Sequence, residues 1–294
     1  MTRRVILIPF LLITLLSGTV FSLRIVATIN PYYLIVKEIV GQNAQVDLLI
    51  GPGQNPHIFS PKISDIRRLD GADLVIANGL DLEIFLERHL DDLASRGKTV
   101  VYIGNLLPKE LIMEKEEQNE EHEHDHHVNP HIWLDPVILT DYVIPFLVEA
   151  LSEIAPEKSG YFSANAAQLI DDLQEFDEEA NSYLEKFRGS VVIVAHPSFT
   201  YFFRRYGLRL EPVLEGIGDE PTIGEIKKLV DFVRGEEVVG IFAEYQHSKR
   251  AIDILTAETS VRHGELDSLG ISMSGIIELL QWNLGEIKRV FDGE

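Results

Sequence analysis

The sequence predicts an α/β protein of two similar lobes, each built on a parallel sheet, joined by a long rigid helix. Three observations carry this. Apolar runs alternate with helical patterns through the first half of the chain, and the alternation recurs in the second half. Between the halves lies a single uninterrupted amphipathic stripe. Strands alternating with helices imply crossover connections and therefore parallel pairing.

In the first half, Leu23–Ile29, Val46–Ile50, Leu74–Ala77 and Thr99–Ile103 read as strands, with helices over Tyr32–Val40, Pro61–Leu69 and Leu82–Leu93. In the second, Val191–Ala195, Leu208–Glu211, Val239–Ala243 and Ser260–Leu266 read as strands. Helices are expected over Ser198–Tyr206, Gly224–Val233, Lys249–Thr259 and Ser274–Val290. The connecting segment, 156–188, places Phe162, Ala166, Leu169, Leu173, Phe176, Ala180, Leu184 and Phe187 at steps of three and four. That is one apolar helical face, with Pro156 suited to its first turn and Gly189 to its end. The expected division is a first lobe over 23–155, the linking helix over 156–188 and a second lobe over 189–294.

Two segments stand outside this frame. Residues 1–22 begin with Arg3 and Arg4, continue with an apolar run from Val5 to Leu16 and end in small residues. These are the parts of an export signal, and the run is too short for a comfortable membrane span. The segment 114–127 carries His122, His124, His126 and His127 among seven acidic residues and has no large apolar side chain. It reads as a mobile surface loop that offers a second, weaker metal site.

The chain has no cysteine. Any metal chemistry therefore rests on His, Asp and Glu, a donor set suited to zinc or manganese. With 47 acidic and 26 basic residues, the composition argues against nucleic acid as a partner. Asn55-Pro56-His57-Ile58 and Asn129-Pro130-His131-Ile132 share one wording, and His196 also precedes a proline. Proline stiffens its own backbone and that of the residue before it. Three stiffly presented imidazoles, far apart in sequence, suggest one site assembled by the fold. Asp267, just beyond the last predicted strand, is the candidate fourth donor. His57 and His196 lie beyond strand carboxyl ends, where ligands of open α/β sheets bind.

These residues resemble a family. Gly51-Pro52-Gly53-Gln54-Asn55-Pro56-His57 and Ala72-Asp73-Leu74-Val75-Ile76-Ala77-Asn78-Gly79-Leu80 are similar to stretches of the metal-binding solute-binding proteins of ABC importers. So are Asn129-Pro130-His131-Ile132-Trp133-Leu134-Asp135-Pro136 and His196 with the Tyr201-Phe202-Phe203 and Tyr206-Gly207-Leu208 that follow. The resemblance covers nearly the whole chain beyond the signal. It implies two similar lobes with the metal between them, and its ligand positions fall on His57, His131, His196 and Asp267. Three histidines and a histidine-rich loop are its zinc-type features, whereas its manganese members carry a carboxylate where His196 stands.

The expectation is thus an exported, periplasmic zinc-binding protein, monomeric and not an enzyme, that delivers Zn2+ to an ABC permease. The rivals are a manganese or iron(II) binder of the same family and a secreted zinc hydrolase. The hydrolase would need an open coordination position and a general base, and neither a His-Glu-x-x-His helix nor a nucleophile motif occurs. Of the remaining groups, Trp133 is expected to pack beside the site, Glu244 to cap a helix or form an ion pair, and His89, His247 and His263 to be solvated.

Overall fold

The computed structural model describes residues 23–114, 128–213 and 222–293. The expectations placed on residues 1–22 and on His122, His124, His126 and His127 lie outside the described residues. The first sheet holds β1 (Leu23–Ala27), β2 (Ala44–Leu48), β3 (Leu74–Ala77) and β4 (Thr99–Tyr102), in the order β2-β1-β3-β4. The second holds β5 (Val191–Val194), β6 (Arg209–Pro212), β7 (Val238–Glu244) and β8 (His263–Leu266), in the order β6-β5-β7-β8. Every pairing is parallel, so the second half repeats the topology of the first. Interior strands β3 and β5 are buried at every residue. A parallel sheet covered on both faces needs such continuous apolar runs, which is why these strands are legible in sequence.

The helices are α1 (Asn30–Val40), α2 (Ile63–Asp70), α3 (Glu87–Ser95), α4 (Pro136–Ile138), α5 (Ile144–Ile154), α6 (Ser159–Leu184), α7 (Thr200–Arg205), α8 (Ile223–Gly235), α9 (Arg250–Thr259) and α10 (Ile276–Asp292). Two differ from expectation. The helix expected over Leu82–Leu93 begins only at Glu87, because Glu83 is drawn inward. Its carboxylate accepts Thr28 Oγ1 (2.6 Å) and the amides of Asn78 (2.8 Å) and Gly79 (3.0 Å), holding the chain in turns. The unexpected helical stretch is α4–α5, continuous through a π-helical turn over Leu139–Val143. Asp135 caps it by accepting the amides of Val137 and Ile138. Pro136 and Pro145 punctuate the pattern, and Pro145 has no amide to continue a regular ladder.

Helix α6 buries the predicted stripe from Phe162 to Leu184. Single 3-10 turns over Pro156–Lys158 and Glu185–Phe187 extend it at both ends. Its 26 residues reach about 39 Å at 1.5 Å per residue. It packs on α1 and α5 of the first lobe and on α10 of the second. One apolar core runs from the first sheet through α6 into α7 and α10, and a smaller one lies under α8 and α9. Among the described residues no helix is long and apolar enough to cross a membrane.

Polar ties cross the cleft as well. Asn30 Nδ2 donates to the carbonyls of Leu269 (2.9 Å) and Gly270 (3.0 Å), and the Ile276 amide donates to Glu38 Oε1 (3.1 Å). Arg205 Nε on α7 meets Asp135 Oδ1 at 2.5 Å. The Asp135 side chain is 3% exposed and that of Arg205 28%. Burial pushes the Asp135 carboxyl up, and the Arg205 bond pulls it back toward the charged form. Removing the guanidinium leaves a buried carboxylate short of its countercharge. Arg205→Ala is therefore expected to lower unfolding free energy by roughly 2 kcal/mol, as read by urea denaturation of the metal-free protein. An unchanged midpoint would mean that this pair does not hold the lobes.

Candidate metal centre

The repeated Asn-Pro-His wording encodes one turn used twice. Asn55 Oδ1 accepts the His57 amide (2.9 Å), and Asn129 Oδ1 accepts the His131 amide (3.0 Å). Each asparagine thus folds its side chain onto the backbone two residues ahead, and the proline between fixes φ. The first turn follows β2 and the second precedes the 3-10 turn Ile132–Leu134. His196 follows β5 directly, with an extended backbone that leads into the turn Pro197–Phe199.

Asn129 does more than turn the chain. Its Oδ1 also lies 2.8 Å from His131 Nδ1, and its Nδ2 donates to Pro197 O (2.9 Å) and Thr200 Oγ1 (3.1 Å). A carbonyl such as Pro197 O only accepts, which fixes the amide's orientation. The amide oxygen also only accepts, so Nδ1 of His131 carries the proton. The lone pair is left on Nε2, aimed away from Asn129. Partners of this kind orient a ligating imidazole and set its tautomer. The same side chain binds the turn beyond His196, so it registers one lobe against the other. The amide of Asn129 itself bonds to Met113 O, while Tyr201 Oη from the second lobe donates to Asn129 O and accepts from the Met113 amide.

The structure brings His57, His131 and His196 together. Their candidate ligand atoms all lie within 4.8 Å of one another. The Nε2 atoms of His57 and His131 are 3.2 Å apart. Two nitrogens on one tetrahedral zinc would stand about 3.3 Å apart, given bonds of ~2.0–2.1 Å. The three ring centroids form a near-equilateral triangle with sides of 5.0, 5.1 and 5.2 Å. His131 and His196 are buried and His57 is half-buried. Trp133 packs at 5.1 Å from His131 and donates through Nε1 to Ser268 O (2.7 Å), another tie across the cleft. The space beside His57 and His131, bordered also by Asn55, Gln246 and His247, is about 10 Å³. That is room for one water-sized atom.

Asp267, the expected fourth donor, is not among the ligand atoms gathered within 4.8 Å. It is buried and its carboxylate is used within its own loop. Oδ1 accepts the amides of Leu269 (3.0 Å) and Gly270 (2.8 Å), and Oδ2 accepts that of Ile271 (2.5 Å). Gln246 Nε2 adds a fourth donor at 3.3 Å. Three consecutive amides turned inward after β8 thus fix the orientation of this carboxylate.

Two residues taken as peripheral belong to the centre. Glu244 ends β7 fully buried, with Oε1 3.3 Å from the His196 amide. Burial pushes its carboxyl up to about 8, so it is largely neutral at pH 7. His247 stacks on His196, with centroids 4.5 Å apart and planes at 21°. Burial pushes its pKa down. The signal for both was position alone: β7 ends beside β5, so the turn after it must reach the His196 side of the cleft.

With this geometry in place, the comparisons with known proteins are specific. The family model described as zinc-uptake complex component A, periplasmic, matches residues 25–290. A Thermotoga maritima protein described as metal-binding is 36% identical over 287 residues, 97% of this chain and 98% of that one. The zinc-binding lipoprotein AdcA of Streptococcus pneumoniae is 27% identical over 93% of this chain, which spans only 56% of AdcA. The crystal structure of ZnuA superposes with a TM-score of 0.78 at 25% identity, covering 92% of this chain and 99% of that one.

Proposed function

This chain belongs to the family described as zinc-uptake complex component A, periplasmic, and on that premise we propose that it captures zinc outside the cytoplasm and delivers it to an ABC permease. The observation that carries this reading is the convergence of His57, His131 and His196 from two lobes onto one point. Neutral imidazole is a good zinc ligand, and all-nitrogen sites suit zinc better than manganese, which favours carboxylates.

The protein acts by binding and transfer, not by catalysis. A zinc hydrolase must place a substrate's reacting carbonyl next to its metal. The space beside His57 and His131, about 10 Å³, suits an ion or a water, which supports metal as the cargo. Release then requires the lobes or the intervening turns to shift, which docking on a permease would provide. The segment 114–127 supplies additional, weaker binding through His122, His124, His126 and His127. Deleting Lys115 to His126 should leave one tight site in a calorimetric titration and remove only the weaker phase. Loss of the tight phase would transfer the principal site to that segment.

The deciding experiment is elemental analysis of protein purified without added metal, followed by direct competition between zinc and manganese. Zinc is expected at one equivalent, and manganese should not displace it at a hundredfold excess. Manganese retained in preference to zinc would overturn the metal assignment. No stoichiometric transition metal by either route would overturn the function.

A further inference from the structure

The turn after β7 carries an imidazole that a three-histidine site does not use. The His247 amide donates to Glu244 O at 3.1 Å, closing a tight turn. Beside it, Gln246 Nε2 reaches across the cleft to Pro52 O at 3.0 Å, on the loop that leads to His57. Gln246 and His247 therefore form the second-lobe edge of the opening, opposite His57. His247 is partly exposed, whereas His196 behind it is only 2% exposed. The water-facing side of the His196 ring is covered by the His247 ring.

The stack is not a coordination geometry. Imidazole lone pairs lie in the ring plane, and rings inclined by only 21° at 4.5 Å cannot aim both at one nearby ion. Ligation would require His247 to leave the stack. As placed, it meets His196 face to face.

We propose that His247 is a positioning residue that covers His196, holding that imidazole in its ligating plane and setting how fast the metal leaves. This rests on the zinc-binding reading above. Loss of the ring would let water reach His196 and let its plane rotate, and both favour dissociation. Loss of the ring nitrogens alone would not.

The test is zinc release from the full-length, zinc-loaded protein into excess chelator, followed by stopped flow, for wild type, His247→Ala and His247→Phe. An aromatic stack contributes enough to slow release by about three- to tenfold. His247→Ala should therefore release zinc about three- to tenfold faster than wild type, while His247→Phe stays within about twofold of wild type. Melting curves of the metal-free variants, followed alongside, tell a loss of the fold apart from a loss of the cover. Release from His247→Ala at the wild-type rate would overturn the cover. Release from His247→Phe as fast as from His247→Ala would also overturn it, by making the nitrogen the required group. A wild-type protein that binds no zinc would instead defeat the underlying function, so the two failures are told apart.

Discussion

Replacing His196 by alanine is expected to weaken zinc binding by at least a hundredfold. Losing a hydrogen-bond partner of a ligating histidine typically costs about 10–100-fold in metal affinity. Losing one of three converging nitrogens should cost more, because water must then complete a site left with two protein donors. His196 is also the one member of the trio supplied by the second lobe, so its loss leaves the metal held from one side only. The same substitution at His131 should act similarly, since Asn129 has already fixed its tautomer for binding. Asp267→Ala gives the contrast. It leaves the amides of Leu269, Gly270 and Ile271 without their buried acceptor, so it should cost about 3 kcal/mol of stability and leave zinc affinity less affected than His196→Ala does. Competition against a chromophoric chelator measures the affinities and urea unfolding of the metal-free forms measures the stabilities. Wild-type affinity in His196→Ala would remove His196 from the site, and a greater loss in Asp267→Ala would make Asp267 a ligand.

The contrast between these two residues shows which kinds of information a sequence carries. The interior strands and the α6 stripe were legible because a buried parallel strand and an amphipathic helix each impose a local periodicity. The Asn-Pro-His turns were legible for a similar reason: the asparagine, proline and histidine act on each other within three residues. Asp267 sits at the right place in the topology, but the direction of its carboxylate depends on how the next four residues turn, and nothing local announces that. Glu244 and His247 were misplaced because their environment is made by β5, its neighbour in the sheet but some fifty residues away in sequence. A glutamate at a strand end reads as a helix cap or an ion-pair partner until that strand is known to stop behind His196 in the sheet. Helix α5 was hidden by Pro145, whose effect is absorbed by a widened helical turn. What failed to be read turned either on how distant segments meet, as where β7 ends beside β5, or on how a turn or a proline is absorbed, as at Asp267 and Pro145.

The metal should also make stability depend on pH in a sense opposite to that of the metal-free protein. Zinc coordinates only neutral imidazole, and unperturbed histidine titrates near pH ~6.5. Below that region protons compete for every ligand, so affinity should fall by up to about three powers of ten per pH unit, one for each histidine. Above it the affinity should level off. Metal at a thousandfold excess over Kd stabilises the folded state by about 4 kcal/mol. At roughly 2–4 °C per kcal/mol for a chain of this size, the melting temperature should rise by about 8–16 °C near pH 7.5. At pH 5 the same zinc concentration should raise it hardly at all. Without metal the trend runs the other way. Glu244 has its carboxyl pushed up to about 8 from the usual glutamate value of 4.5. The folded state therefore holds a proton that the unfolded chain releases, and stability from this group is lost as pH rises from 4.5 toward 8. Zinc-free protein should melt lower at pH 7.5 than at pH 5.5 for this reason, and Glu244→Gln should reduce that slope. Paired melting curves with saturating zinc and with chelator, at both pH values, measure the two effects together. An equal zinc-induced shift at pH 5 and pH 7.5 would show that protons and metal do not compete, and would remove the three imidazoles from the site.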